Sequence, residues 1–372
     1  MLPYTGDYIE HIEPGKNSLK FYSFTPRPLM SGNIYQMDDE LAMLLIDAHR
    51  NIGFLEGLIK YAPNKEAFAE LMLLKECTYS RMIDYDNPDF KEVLTSRGTG
   101  KGNISPIIDL EAAYRAALNM EICAPDLSRI CGIALYRESE DDPMSVRDHQ
   151  TFWLGAKTNL KGYNPTAPDA VLPALADISA YLYNDQNTDP LIKAALVHYR
   201  FEMIHPFERY NGIVGRIIVP MMLSDIAREA KLLICLSEYL YHNKNEYFDL
   251  LRSTQYSGGY IRWIKFFVNA VGEVAKKSAK LMTQYERIIA LDEHRLTEIG
   301  KSTKSIFEIY NYLKDTPITT ITVAERNLGF SFNTVSKLFH SLQGYGIVEC
   351  HLPSYRNRVF RYSELENLIC AD

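Results

Sequence analysis

The chain has 372 residues, 47% hydrophobic and 23% charged, with a net charge of -7; this excludes a disordered or fibrous protein and a surface coated overall for nucleic acid. No apolar run of about eighteen residues occurs and the start, Met1-Leu-Pro-Tyr, lacks the basic and apolar parts of a signal peptide, so no membrane span and a cytoplasmic location are expected. Six cysteines are scattered without a Cys-x-x-Cys pair, which fits reduced thiols used for packing.

In chain order, residues 1–36 mix aromatics, Pro and Gly without a sustained period and read as an arm laid across a domain. From Asp38 to Tyr61 the apolar residues Leu41, Leu44, Leu45, Ala48, Ile52, Leu55, Leu58 and Ile59 recur at helical spacing, and Asp38 or Asp39 is placed to cap them. Glu66 to Met82 reads as a second helix. Ser96-Arg-Gly-Thr-Gly-Lys-Gly102 is glycine-rich and basic, yet it lacks the Gly-Lys-[Ser/Thr] ending of a P-loop and no apolar strand precedes it, so it reads as a connector. Leu110 to Ala124 is expected to be a helix, Ser128 to Arg137 a helix or short strand, and Glu138 to Pro143 an acidic turn. The β-type residues around Thr158-Asn159 predict a hairpin over Thr151 to Pro165. Val171 to Tyr183 and Leu191 to Ile204 read as helices, and His198 on the second of these is expected in a core or at a surface, since no third residue stands at metal-ligand spacing.

Pro206 must stop the helix that precedes it, which leaves His205 at a helix end. The stretch His205-Pro-Phe-Glu-Arg-Tyr-Asn-Gly-Ile-Val-Gly-Arg216 then concentrates a candidate base, a carboxylate, an amide, two glycines and an arginine. A second apolar helix runs over Ile213 to Ile226. The loop between the two would aim unpaired backbone N–H groups at an anion. Further on, Asn245 to Ser253 is a helix, and Val271, Val274, Ser278, Leu281, Tyr285, Ile288 and Asp292 alternate by three and four along one long helix. That mixed seam suits packing on neighbours or a homodimer. Beyond Gly300, Ile306 to Leu313, Thr322 to Leu328 and Phe332 to Gln343 read as helices, with Gly346 to Cys350 and Arg358 to Tyr362 as a strand pair.

The His205–Arg216 stretch resembles the core motif of Fic-domain proteins: His-Pro-Phe, one residue, an acidic residue, Gly-Asn-Gly-Arg, two residues, Arg. His205, Pro206, Phe207, Asn211, Gly212 and Arg216 match, while Arg209 replaces the acidic residue, Tyr210 the first glycine and Ile213 the first arginine. The resemblance implies a mainly helical, all-α Fic fold with a β-hairpin flap, and an adenylyltransferase that moves AMP from ATP to a hydroxyl of a target protein or of itself. It implies His205 as general base, with Asn211 and Arg216 beside it as catalytic residues. Phe207, Asn211, Gly212, Gly215 and Arg216 would bind nucleotide, and Glu208, one place early, would be the ligand of Mg2+ or Mn2+. Glu76-Cys-Thr-Tyr-Ser-Arg-Met-Ile-Asp84-Tyr85 resembles the family's inhibitory segment; Asp84 would pair with Arg216, with Ser80 on the same helix. Tyr85 stands where that segment usually has glycine. Tyr163 to Pro168 loosely resembles the element beside the flap.

The segment past Gly300 resembles the winged helix-turn-helix that often follows a Fic domain in bacterial proteins, and Asn333, Ser336, Lys337, Arg356, Arg358 and Arg361 are its candidate DNA contacts. The expected organisation is therefore a helical region with the inhibitory-like segment over 1–110, the core domain and long helix over 111–297, and the winged helix over 298–372. The three departures within the motif support a second reading, a catalytically impaired regulator that binds nucleotide or DNA.

Overall fold

The structure is a computed structural model that describes residues 5–12, 20–30, 34–135, 143–151, 165–298, 304–351 and 358–371. Two strands, β1 (Gly6–Ile12) and β2 (Lys20–Pro26), form an antiparallel hairpin with Gly6 opposite Pro26. The arm is thus regular where its sequence shows no period, because the pairing is non-local and each strand is short. Phe24 is fully buried, and its carbonyl accepts from Thr166 Oγ1 at 3.0 Å.

Helix α1 (Asp39–Tyr61) is capped by Asp38, whose carboxylate accepts from Leu41 N at 2.8 Å, and it buries most of the residues that the periodicity marks, with Leu44 and Leu58 half-buried at the edge of the stripe. It packs along α11 (Tyr260–Glu298), where a Cβ on Gly272 would stand 3.0 Å from Ala48 Cα, so small residues set the approach of the two helices. Between them in sequence run α2 (Lys65–Asp84), α3 (Phe90–Thr99), α4 (Ser105–Ala117), α5 (Ala124–Ala134), α6 (Pro168–Asn184), α7 (Pro190–Ile204), α8 (Asn211–Met222), α9 (Leu236–His242) and α10 (Lys244–Ser257). Helix α2 is buried on nearly every side from Leu71 to Arg81. Even Lys75 is enclosed there, paired with Glu238 at 2.7 Å and donating to Ile369 O at 3.1 Å.

Helix α11 (Tyr260–Glu298) has 39 residues and spans about 58 Å. Its seam is consumed inside the chain: Val271, Ser278, Tyr285 and Asp292 are buried, Ser278 Oγ donates to Leu233 O, and Asp292 accepts from Tyr362 OH. That occupancy corrects the expectation that the seam could pair two copies.

The C-terminal segment runs α12 (Lys304–Asp315), β3 (Ile318–Thr320), α13 (Ile321–Leu328), α14 (Phe332–Gly344), β4 (Glu349–His351), β5 (Val359–Arg361) and α15 (Ser363–Cys370), with sheet order β3-β5-β4. Phe339 stacks on Phe360 at 4.3 Å and ties α14 to the sheet. The segment docks closely on α3, because a Cβ on Gly98 would fall 1.6 Å from Ile318 O. Other expectations need correction. Ser96 to Thr99 are the end of α3, closed by Gly100 at φ 66, so the connector to α4 is confined to residues 101–104. The helix expected to reach Ala124 stops at Ala117, and Ala124–Ala134 is a separate helix. Residues 136–142 and 152–164, which hold most of the acidic turn and of the expected flap, lie outside the described residues.

Candidate active site

Helix α7 ends because Pro206 cannot continue it, and His205 takes the left-handed conformation, φ 51, with its N–H on Phe201 O at 3.0 Å. Few non-glycine residues sit there. It is held by Arg147, a buried residue that the sequence reading missed. Arg147 Nε donates to His205 O at 2.7 Å and Nη2 to Ile204 O at 3.1 Å, while its own N–H donates to Pro206 O at 2.9 Å. No local pattern marks such a residue, since what it binds is backbone carbonyl. Burial pushes the Arg147 pKa down to about 10.

The turn after His205 is closed by Asn211. Its Oδ1 accepts from Phe207 N and its Nδ2 donates to Phe207 O, both at 2.8 Å. Both polar atoms are therefore committed, which corrects Asn211 from a side-chain phosphate contact to the clasp of the loop. Packing corrects two more residues. Phe207 is fully buried and offers no ring to a nucleotide. A Cβ on Gly215 would stand 2.3 Å from Glu202 Oε1, so Gly215 serves the close packing of α7 on α8. A Cβ on Gly212 would meet Asp84 Oδ2 at 2.9 Å and Arg216 Nη1 at 3.0 Å, so the bare backbone there lets the Asp84–Arg216 pair lie against α8.

Arg216, 1% exposed, donates from Nε to Ser80 Oγ at 2.8 Å, and from Nη2 to Ser80 O at 2.8 Å and to Asp84 Oδ2 at 2.5 Å. Burial disfavours its charge, but facing Asp84 and other acids outweighs that, and its pKa lies above the ordinary value. The Asp84 carboxylate rests beside the first turn of α8, the place where unpaired N–H groups favour an anion.

Next to this pair, Arg81 Nη1 donates to Tyr210 OH at 2.7 Å, and the guanidinium lies 5.0 Å from the Tyr85 ring. The Tyr85 and Tyr210 rings are 5.4 Å apart. Tyr210 has φ 69, again left-handed.

Buried beneath His205 is Glu202, with Oε2 4.0 Å from His205 Nδ1. Burial, against the pull of Arg216 and with Asp84 adding to it, raises the Glu202 pKa to about 8. Burial first, and Arg147 as a nearby cation, lower His205 to about 4 against its hydrogen bond to Glu202 O. His205 is therefore neutral around pH 7, the state in which an imidazole can accept a proton. His198 is a core residue, with Nδ1 on Gly215 O at 2.8 Å and Nε2 on Tyr247 OH at 2.9 Å.

These groups converge on one cavity of about 530 Å³, whose rim adds Glu208, Arg209, Lys244 and Arg252. Among the described residues no three acidic, His or Cys side chains gather as a metal cage. Glu208 is a single carboxylate on that rim, which fits a magnesium ion held mainly by substrate phosphates.

The candidate DNA contacts that lie within the described residues differ in their surroundings. Asn333 and Lys337 are exposed on α14 and Ser336 is half-buried. Arg361 lies on the sheet face opposite to Phe360 and pairs with buried Glu366 at 2.6 Å, so it is corrected to a structural ion pair. Arg358 lines a cleft with α14, and Arg356 lies outside the described residues.

Residues 123–223 match the model of the Fic/DOC family. A stretch of 64 residues is 38% identical to protein adenylyltransferase fic-1 of Caenorhabditis briggsae, covering 16% of this chain and 12% of that protein. Another of 113 residues is 28% identical to a probable protein adenylyltransferase of Aquifex aeolicus, covering 30% of this chain and 31% of that one. The matches thus span under a third of these relatives' lengths. Among solved structures, a Fic family protein from Desulfovibrio desulfuricans superposes with a TM-score of 0.56 at 15% identity, covering 89% of this chain and 98% of that one. At that identity the likeness speaks for the fold.

Proposed function

Because this chain carries a Fic/DOC-family domain over residues 123–223, we propose that it is a protein adenylyltransferase, using ATP to modify a hydroxyl of a target protein or of itself, and that it rests in a self-inhibited state. One observation carries the reading: a neutral imidazole, the N-terminus of a helix and a buried arginine meet around a single cavity. His205 takes the proton of the attacking hydroxyl, whose oxygen bonds to the α-phosphorus as the bond to the β-phosphate oxygen breaks. Pyrophosphate leaves, and the α8 N-terminus and Arg216 offset the charge on the phosphates. Magnesium or manganese, when bound, would supply further charge neutralisation there. In the resting chain Asp84 and Ser80 hold Arg216 away from that role.

A second reading, a regulator that holds nucleotide without transferring it, draws support from Ile213, which is fully buried where the motif has arginine and so cannot reach a phosphate. For the C-terminal segment, the order of helices and strands supports the winged-helix reading.

Mass spectrometry after incubation with ATP and magnesium tests both. Transfer predicts an AMP adduct on a hydroxyl side chain in the Asp84→Gly chain and its loss in Asp84→Gly/His205→Ala. Equal labelling of the two chains would remove His205 from the base role, and bound but untransferred nucleotide would favour the regulator.

A further inference from the structure

The glycine-rich basic stretch Ser96 to Gly102 has no part in the cavity around His205. Its position is nonetheless fixed. Gly98 lets α3 press its backbone on β3, and Gly100 ends the helix in the left-handed conformation that a glycine adopts without cost. The chain is thereby turned so that Lys101 stands at the edge where α13 and α14 meet. A cleft of about 470 Å³ opens there.

Four basic side chains from four parts of the chain line this cleft: Lys101 from the connector, Arg326 from α13, His340 from α14, and Arg358 from just before β5. Among the described residues no carboxylate lines it. Among the described residues Lys101 and Arg326 form no ion pair, whereas other cations of the module, Lys314 and Arg361, are paired. A gathering of cations without acids makes a region of positive potential, one that attracts phosphate. Phe332, 49% exposed, lines the same cleft. A large ring left open among cations gives a planar base a face to stack on.

We propose that this cleft is a second anion site and takes a mononucleotide, its phosphate against Lys101 and Arg326 and its base on Phe332. The shape favours a small ligand over a duplex. A volume near 470 Å³ lies within the roughly 300–1,000 Å³ of small-molecule pockets, and the Lys101 connector flanks the side of α14 that a DNA groove would have to embrace. The inference does not depend on adenylyl transfer, since the site shares no residue with the cavity around His205.

Calorimetry with AMP at low salt tests it in the full chain carrying Arg216→Ala, which takes the arginine from the first cavity, and the substitutions in the second cleft separate the two sites. One equivalent of AMP is expected to bind. Adding Lys101→Ala and Arg326→Ala should weaken it at least about tenfold, as the loss of two phosphate contacts implies. Phe332→Ala should weaken AMP but spare inorganic pyrophosphate. Absence of AMP binding in the Arg216→Ala chain, or binding unmoved by the two further substitutions, would overturn the site. So would retention of a duplex oligonucleotide, but not AMP, through the same two cations, for then the cleft serves nucleic acid.

Discussion

Asp84 and Arg216 are 132 residues apart in sequence and 2.5 Å apart in space. An aspartate in place of the family's glutamate is one methylene shorter, which predicts a bridge through water or a closer helix. The contact is direct, and Ser80, one turn back on α2, also binds Arg216 through both its hydroxyl and its carbonyl. An exposed ion pair contributes about 1 kcal/mol or less; here Arg216 is buried and Asp84 only 28% exposed, so removing the aspartate leaves a buried charge seeking another anion. We therefore expect Asp84→Gly to raise the initial labelling rate by about tenfold, or ~1.4 kcal/mol, and Arg216→Ala added to it to bring the rate below wild type. A rate for Asp84→Gly at or below wild type would reduce Asp84 to a helix-end carboxylate. The sequence motif made this pair legible, because it states which residues belong together. It misled at Asn211, Phe207 and Gly215, where nearness in the motif says nothing of whether a side chain faces the ligand or the loop itself. Arg147 was illegible for the converse reason: its partners are carbonyls, and carbonyls have no sequence signature.

Among the elements, α2 is the shared wall. Its C-terminal end holds the inhibitory contact, while its middle is tied through Lys75 to α9 and α15. The docking of the C-terminal segment further depends on one glycine. A methyl at position 98 cannot coexist with Ile318 O at 1.6 Å, and overpacking of this kind costs about 1–3 kcal/mol. Gly98→Ala should lower the melting temperature by several degrees in calorimetric scans, and an unchanged value would show that α3 and β3 separate freely. Long periodic helices such as α1, α7 and α11 could be read from spacing. The strand pair β4 and β5 could be read as well, but the three-residue β3 and the ten-residue α3 could not, since their stability comes from partners distant in sequence.

For the whole molecule, the buried titratable groups narrow the pH range of stability. His198 and His205 are held at about 4 by burial, below the 6.5 of a free imidazole. Their contribution is present above pH 6.5 and is lost as the pH falls through 4. Glu202 runs the other way: raised from 4.5 to about 8, it favours folding fully below 4.5 and ceases to do so as the pH rises through 8. Urea midpoints should therefore fall on both sides. Glu202→Gln is expected to flatten the alkaline limb and leave the acid limb in place, and an alkaline limb unchanged by the substitution would contradict the assignment.

Tyr85 and Tyr210 stand where the resembled motifs carry glycine, one after the inhibitory acid and one before Asn211, and they meet across Arg81. Glycine at 210 alone would relieve about 1 kcal/mol of left-handed strain but take the hydroxyl from a guanidinium already out of water. Glycine at 85 alone would leave that strain in place while removing a ring that helps to offset it. The merit of either residue is thus set by the other, so the two sites cannot drift singly. A lineage could move between this arrangement and the glycine one only by passing through a less favourable intermediate or by changing both together.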